Sequence, residues 1–129
     1  MGQSAAVTDG IRVEVESRYV GGRSDPAESR YFFAYRIRIV NESNRSARLL
    51  SRHWVITDGN GLTQHVRGPG VIGQTPRLAP GESFEYESFC PLPTALGAMK
   101  GEYHFVDEHG QTLDVEVAEF SLEEPLSLN

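Results

Sequence analysis

One segment, residues 31–39, constrains the fold more than any other part of the chain. Its large apolar side chains occupy alternate positions: Tyr31, Phe33, Tyr35, Ile37 and Ile39. Alternate side chains of a β-strand point to the same face, so these groups predict one wide apolar face. Arg36 and Arg38 then fall on the opposite, solvated face. A segment of this kind must bury one side against a second layer of structure.

The same alternation recurs along the rest of the chain, broken by clusters of Gly, Asn, Asp and Pro. The predicted strands cover residues 11–20, 31–39, 47–57, 62–66, 84–88, 101–107 and 112–120. No long segment has a helical period. The sequence therefore predicts an all-β fold, a two-sheet antiparallel sandwich of about seven strands in the style of immunoglobulin or fibronectin type III domains. A small barrel is the alternative.

Turn residues place the connections between these strands. Asp58-Gly59-Asn60-Gly61 supplies residues that tolerate positive φ, which a tight hairpin requires, and residues 108–111 predict a second hairpin. Pro69, Pro76 and Pro80 divide the next region into loop and short edge segments, because proline cannot donate to a ladder. Residues 91–97 are predicted to be a loop that includes at most one helical turn.

The chain of 129 residues has the size of one domain. We expect residues 1–9 to be a flexible N-terminus, residues 10–125 to form the domain, and residues 126–129 to be a tail. Cys90 is the single cysteine, so no internal disulfide is predicted. Neither a secretory signal nor an apolar run of about 18 residues is apparent. These features predict a soluble, cytoplasmic protein without membrane insertion.

The charge balance argues against nucleic acid as a partner. The chain has 12 Lys and Arg against 18 Asp and Glu, a net charge of −6, whereas binding to phosphate backbones depends on counterion release at basic side chains. Basic residues are concentrated in the first half of the chain and acidic residues in the second. Because the halves of a sandwich intermingle, we expect opposite charges to pair between neighbouring strands.

A glycine motif, Gly68-x-Gly70-x-x-Gly73, matches the dinucleotide fingerprint by letter. That mechanism needs a preceding strand, a following helix and an acidic residue about 20 positions later. Gln74-Thr75-Pro76 cannot open a long helix, so the sequence does not predict a dinucleotide site here. A surface turn between sheets is the simplest interpretation.

A second interpretation of the same loop is a small-anion site. Backbone N–H groups in a glycine-rich turn can form a nest for phosphate without a helix. Arg67 and Arg77 would add charge to Gly68, Gly70 and Gly73, and a phosphate-containing small ligand such as pyrophosphate or a nucleotide is the predicted occupant.

Catalytic, metal and cofactor sites are not predicted. His53 and His65 can approach each other across the hairpin, but the four histidines lack the spacing of a metal cage. Ser51 and His53 share a face of one strand without an identifiable orienting carboxylate or oxyanion hole. Cys90 lies between Phe89 and Pro91, an apolar setting that favours an inert thiol.

Trp54 and Arg52 lie on one face of the third predicted strand, and two interpretations are open. A single tryptophan in a central strand is typically a core residue of a sandwich. At a surface, however, Trp beside Arg has the composition of an interaction hot spot. Exposed strand edges would also allow self-association by strand pairing.

Several motifs in order resemble the ApaG (CorD) family across residues 10–125. They are SRHW at 51–54, ITDGNG at 56–61, GPGVIG at 68–73, LAPGE at 78–82 and FEY at 84–86. The resemblance implies a fibronectin type III-like sandwich, an ApaG domain, without established enzymatic activity. It also implies a genetic link in bacteria to cobalt tolerance and magnesium efflux.

The same domain occurs in larger eukaryotic proteins, including F-box and polymerase-interacting proteins, where it resembles a partner-binding module. Together with the residues, the resemblance predicts a non-enzymatic module that binds another protein. A small-anion binder that uses residues 67–77 is the alternative, and neither prediction identifies the partner.

Overall fold

A computed structural model describes residues 2–125, so the predicted tail, residues 126–129, lies outside the described residues. Nine strands account for most of this range, and two short 3-10 turns occupy Gly21–Arg23 and Pro26–Glu28. The strands are β1 (Gln3–Thr8), β2 (Ile11–Tyr19), β3 (Tyr31–Asn41), β4 (Ala47–Asp58), β5 (Thr63–Pro69), β6 (Arg77–Leu78), β7 (Ser83–Leu92), β8 (Leu96–Asp107) and β9 (Thr112–Glu123).

The strands form two antiparallel sheets. The first has the order β1-β2-β3-β7, and the second has the order β5-β4-β8-β9, with β6 pairing to β4. The prediction of an all-β, two-sheet antiparallel sandwich is confirmed. No helix within residues 2–125 is long and apolar enough to cross a membrane.

The core lies between the facing sides of the two sheets. Phe33, Ile37 and Ile39 of β3 are fully buried and belong to one core cluster with Leu49 and Tyr103 of the second sheet. Each large side chain removed from water in this way contributes roughly 1.5–3 kcal/mol. The alternation seen in residues 31–39 therefore supplies one of the buried apolar faces that hold the two sheets together.

Both predicted hairpin turns are present, and an aspartate organises each. Asp58 Oδ1 accepts hydrogen bonds from the backbone N–H groups of Asn60 and Leu62, at 2.8 and 3.1 Å. Asp107 Oδ1 accepts from those of His109 and Gln111, both at 2.9 Å. Aspartate at these positions holds the turn by bonding its own downstream backbone.

The outer face of the first sheet carries the predicted pairing of charges between strands. Arg38 of β3 contacts Glu14 of β2 at 3.3 Å and Glu85 of β7 at 3.4 Å. Arg18 of β2 reaches Glu87 of β7 at 3.4 Å. These pairs are solvated, so each contributes at most about 1 kcal/mol.

One strand, β1, was not predicted, whereas β6 lies in the region where loop and short edge segments were predicted. The expectation of a flexible N-terminus over residues 1–9 is wrong for Gln3–Thr8, which pairs with β2 along its whole length. Its small residues carry no strong apolar pattern because β1 lies at a sheet edge and is only half-buried. Residues 91–97 contain no helical turn, since β7 runs to Leu92 and β8 starts at Leu96.

One lateral side of the sandwich is closed, where β1 lies next to β9. Ser17 Oγ donates to the Ser121 carbonyl at 2.6 Å and accepts from Gly2 N at 3.1 Å. Ser4 Oγ donates to the Ala118 carbonyl at 2.7 Å. These hydroxyls bridge the two sheets at a place where, within residues 2–125, no backbone hydrogen bond joins β1 to β9. We call this the closed side.

Candidate functional site

The glycine motif forms a tight turn that follows β5. Val71 and Gln74 exchange two backbone hydrogen bonds of 2.9 Å, and both residues between them, Ile72 and Gly73, have positive φ, 42° and 77°. Positive φ at both central positions defines a type I′ turn. Within residues 2–125 no α-helix follows the motif, so the helix N-terminus that a dinucleotide site requires is not formed here.

Two of the motif's glycines have clear packing reasons. A side chain at Gly70 would clash with the Gln74 carbonyl oxygen, and the φ of +59° at Gly70 is unfavourable for other residues. Gly68 lies opposite Arg52, and a side chain there would press against the guanidinium at 3.0 Å. The absence of a side chain at Gly68 thus leaves room for Arg52.

Two arginines of β4 hold this loop through its carbonyl groups. Arg52 Nη1 donates to the carbonyl oxygens of Pro69 and Gly70, at 3.0 and 2.9 Å, and Arg48 Nη1 donates to that of Thr75 at 2.9 Å. Charge-assisted bonds of this kind are stronger than neutral ones. The loop therefore turns carbonyl oxygens toward the nearby cations.

The five residues predicted for an anion site are not gathered in one depression. Arg67 and Gly68 line a shallow depression on the outer face of the second sheet. Arg77 lies on β6 opposite Arg48, while Gly70 and Gly73 belong to the turn and do not line that depression. The loop's geometry is that of the surface turn, and the anion site stays a prediction.

Trp54 is a core residue, 3% exposed. Its ring makes edge contacts with Tyr35, Tyr103 and Phe120, with centroids 5.5 to 6.0 Å apart. Trp54 is therefore a core residue, as the first interpretation expected. It also lines the gap between β5 and β7, so the interaction surface predicted for Arg52 and Trp54 stays a prediction.

A β-bulge explains why Trp54 and Arg52 point inward. The pairing of β4 with β8 shifts register between Leu49 and Ser51, so the extra residue, Leu50, interrupts the alternation. Leu49 is buried before the bulge, and Trp54 is buried after it. Odd positions face the core before the bulge, and even positions face it afterwards.

The second lateral side of the sandwich is open. Here β5 and β7 are the outermost strands of their sheets, and within residues 2–125 no hydrogen bond joins them. A groove of about 330 Å³ lies between them. We call it the open-edge groove, and the lining residues used below are Tyr35, Arg52, Gln64, Ser88, Phe89 and Cys90.

Burial keeps the titratable groups behind this groove neutral. It raises the pKa of Cys90 to about 11 and raises the pKa values of Tyr35 and Tyr103. The hydroxyl groups of Tyr86 and Tyr103 are 2.5 Å apart in the interior. The thiol of Cys90 is thus a poor nucleophile at neutral pH, since thiolate is the reactive form.

The outer face of the second sheet carries a row of polar side chains across four of its strands, β5, β4, β8 and β9. His65 and His53 are joined by a nitrogen–nitrogen hydrogen bond of 2.9 Å, and their rings stack. Glu102 lies 3.8 Å from His53 and 3.6 Å from His104, which bonds Asp114 at 2.8 Å. The predicted approach of His53 and His65 is confirmed.

This row does not have the geometry of a metal cage. Within residues 2–125, no three His, Cys, Asp or Glu side chains are grouped so that they could hold one ion. Each histidine instead has a ring or carboxylate neighbour. The row is a chain of hydrogen bonds and ion pairs on a solvated face, where such contacts contribute little to stability.

Sequence reasoning missed the open-edge groove and the partners of the histidines. Ser88 gave the one available signal of the groove. It is a polar residue at the inner-face position of β7 that follows the apolar residues Phe84 and Tyr86. Glu102 and Asp114 lie on strands far from His53 in sequence, and no local spacing brings them together.

The sandwich, its glycine turn and its motifs agree with one family. The model of the ApaG domain family matches residues 21–107. This chain belongs to the ApaG family. Protein ApaG of Bordetella pertussis is 52% identical over 119 residues, which cover 92% of this chain and 91% of that protein. Protein ApaG of Allorhizobium ampelinum is 52% identical over 120 residues, or 93% and 92% of the two chains.

Solved structures give the same result. The crystal structure of a Bordetella pertussis protein described as ApaA superposes with a TM-score of 0.89 at 50% identity, covering 96% of this chain and all of that one. The C-terminal domain of wzt has a TM-score of 0.53 at 10% identity, over 98% and 80% of the two chains. That second likeness concerns the fold alone. The name Protein ApaG specifies no reaction.

Proposed function

We propose that this member of the ApaG family is a non-enzymatic module that binds another protein through the open-edge groove. The observation that carries the proposal is the groove itself, which lies between the outer edges of β5 and β7 and has aromatic and apolar walls. Sheet edges of this kind accept an extended segment of a partner through main-chain hydrogen bonds, and pockets beside them select side chains.

Exposed apolar surface at the groove supports a protein partner. Phe89 on β7 is 45% exposed, and its ring contacts Phe32 at a centroid distance of 5.4 Å. Arg23 lies over both rings, at 4.3 and 5.3 Å from their centroids. Aromatic and arginine side chains dominate the binding energy of protein interfaces.

A partner also accounts best for the physiological setting that the family resemblance implies, cobalt resistance and magnesium efflux. A module without a cage of ligands among residues 2–125 would act on metal homeostasis through the protein that it binds. We place this module in the cytoplasm, in agreement with Cys90 being a free and buried thiol.

The small-anion alternative makes a different prediction for the same molecule. The free N–H groups of the turn at Ile72 and Gly73 would have to bind phosphate, although Arg52 and Arg48 already donate to carbonyl oxygens of the loop. The two proposals therefore differ in where a ligand changes the backbone environment.

Selection of peptides tests the module directly. A phage-displayed library of random twelve-residue peptides is selected on the immobilised protein, and the enriched peptides are titrated into ¹⁵N-labelled protein. We expect saturable amide shifts at Gln64, Ser88 and Phe89. Separate titrations with pyrophosphate, ATP, Mg²⁺ and Co²⁺ form the second arm, and analytical ultracentrifugation monitors pairing of two copies through strand edges.

Two exposed apolar residues provide a matched pair of variants. Phe89→Ser removes an aromatic group at the groove, whereas Leu62→Ser alters a more exposed residue, 69% exposed, at the β4–β5 turn. Peptide affinity should fall at least about tenfold in the first variant and stay within about twofold in the second. Saturable shifts confined to Gly68–Gly73 with pyrophosphate, and none with peptides, would instead establish the anion binder.

A further inference from the structure

The open-edge groove has an unusual charge for this protein. Arg52 is the one charged side chain among the groove residues within residues 2–125, and no carboxylate lines it. The chain as a whole carries 18 acidic residues and a net charge of −6. The groove therefore contains one positive charge and no negative charge, although the protein as a whole is negative. Such a groove is complementary to a negative group on the ligand.

Arg52 keeps donors for such a group. Its Nη1 atom bonds the carbonyl oxygens of Pro69 and Gly70, which fixes the guanidinium at the edge of β5. Its Nε and Nη2 atoms make no hydrogen bond with residues 2–125. Neither atom is among the fully buried polar atoms without a partner, so both have contact with solvent. These two donors are therefore accessible, and the fork that they form matches a carboxylate.

Neutral donors lie along the same groove. Tyr35 and Ser88 stand on its first-sheet wall, and Gln64 stands on the edge strand β5. Burial raises the pKa of Tyr35, so its phenol stays protonated near neutral pH and can donate. Hydroxyl and amide donors of this kind orient an anion without adding charge.

The surface continues past Arg52. This residue lines the open-edge groove and also the shallow depression that contains His53 and Arg67 on the outer face. A ligand chain that reaches Arg52 is therefore not forced to end there. This continuity favours a carboxylate on a side chain within a segment over the carboxylate of a chain terminus.

From this arrangement we infer that the open-edge groove selects an extended protein segment in which an Asp or Glu side chain pairs with Arg52 and neighbouring apolar side chains contact Phe89 and the groove walls. The inference rests on the proposed function, since it names the chemistry of the segment that the module would bind. A buried or half-buried arginine–carboxylate pair of this kind gives specificity because an uncharged analogue leaves the cation unpaired.

The test uses peptides from the same phage selection, synthesised with an acetylated N-terminus and an amidated C-terminus. Each is compared with a version in which the acidic residue is replaced by its amide, Asp by Asn or Glu by Gln. We expect enriched sequences to contain an acidic residue next to an aromatic or aliphatic one. The amide versions should bind at least about tenfold more weakly by calorimetry.

Two protein variants locate the effect. Arg52→Gln should weaken binding of the acidic peptide at least about tenfold and binding of the amide peptide less than about twofold. This difference is expected when Arg52 pairs directly with the peptide carboxylate. Because Arg52 also holds the loop, a second variant leaves it in place. Gln64→Glu adds a carboxylate at the groove and should weaken only the acidic peptide, whereas Gln111→Glu adds the same charge at a remote turn and should change neither.

The outcomes separate the inference from the proposed function. Peptides that shift Gln64, Ser88 and Phe89 but bind equally well in acidic and amide forms would overturn the inference and leave the module intact. Binding that requires a free C-terminal carboxylate would also overturn it. Failure of every selected peptide to reach the groove would overturn the module itself.

Discussion

The two lateral sides of the sandwich differ in what fills the gap between the sheets. On the closed side, short hydroxyl side chains of Ser4 and Ser17 bond carbonyl groups of β9. On the open side, β5 and β7 share no hydrogen bond within residues 2–125, and Arg52 bonds a carbonyl oxygen at the end of β5 in its own sheet. One side uses its polar groups to complete the fold, and the other keeps donors and apolar walls accessible. Under the proposed function, the closed side contributes stability and the open side recognition.

The largest expected loss of stability follows from changing Trp54, whose ring lies between the core and the open side. Trp54→Ala removes a ring that contacts three aromatic neighbours, so the free energy of unfolding should fall by about 3–5 kcal/mol. Urea denaturation measures the change. Trp54→Phe, which keeps an aromatic ring, should lose less than half as much. A loss below about 1 kcal/mol for the alanine variant would show that the open side is already loosely packed.

The Ser17 hydroxyl should stabilise the closed side more than the Ser88 hydroxyl stabilises the open side. Ser17→Ala leaves the Ser121 carbonyl without its donor and Gly2 N without its acceptor, which should cost about 1–3 kcal/mol of unfolding free energy. Ser88→Ala on the open side, where the hydroxyl is only half-buried, should cost less than about 1 kcal/mol. Equal losses in the two variants, measured by urea denaturation, would abolish the distinction between the sides.

Alkaline pH should weaken the open side through Cys90. The thiol's pKa is about 11 in the fold against an ordinary value of 9.0, so the neutral form stabilises the fold below pH 9 and this contribution is lost as pH rises toward 11. Between pH 7 and pH 10 the natural chain should therefore lose about 1.4 kcal/mol more stability than Cys90→Ala. Tyrosine ionisation is common to both chains and cancels.

Denaturation curves for both proteins at the two pH values give this difference. A Cys90→Ala variant with the same pH dependence as the natural chain would mean that the thiol is solvated in the groove rather than held in an apolar wall.

The smallest effect concerns the turn beyond the open side. Ile72 is 55% exposed and has a φ of 42°, a conformation that is unfavourable for a β-branched residue. Ile72→Asn produces the Asn-Gly pair that type I′ turns prefer and should raise the midpoint of thermal unfolding, with a gain of about 0.5–1 kcal/mol. Ile72→Val retains the strain and should give no gain. A destabilised asparagine variant would indicate that the exposed side chain has a packing role.

Much of the fold could be predicted because its signals are local. The alternation in residues 31–39 and the turn residues at 58–61 and 108–111 act over two to four positions, and the structure has strands and hairpins at those places. The contact between His53 and His65 followed from the hairpin alone. The resemblance to the ApaG family also rested on short motifs, and the family match confirms it.

The site was harder to predict because it depends on strands that are distant in sequence. Which strand ends each sheet decides where the open-edge groove lies, and no local pattern fixes that order. β1 escaped prediction since Gln3–Thr8 consists of small and polar residues whose place is set by β2 and β9. Trp54 could be core or surface until the position of the bulge in β4 was known.

Leu50 determines which face of the sheet each later side chain of β4 points to. If Leu50 were paired regularly in the ladder, uninterrupted alternation from Leu49 would send Ser51 and His53 inside and turn Arg52 and Trp54 out to water. The bulge, which leaves Leu50 out of the pairing, thus places an indole in the protein's interior, a guanidinium at its rim and an imidazole on its outer surface. Deleting Leu50 would retain these three environments, whereas forcing it into the ladder would exchange them at once.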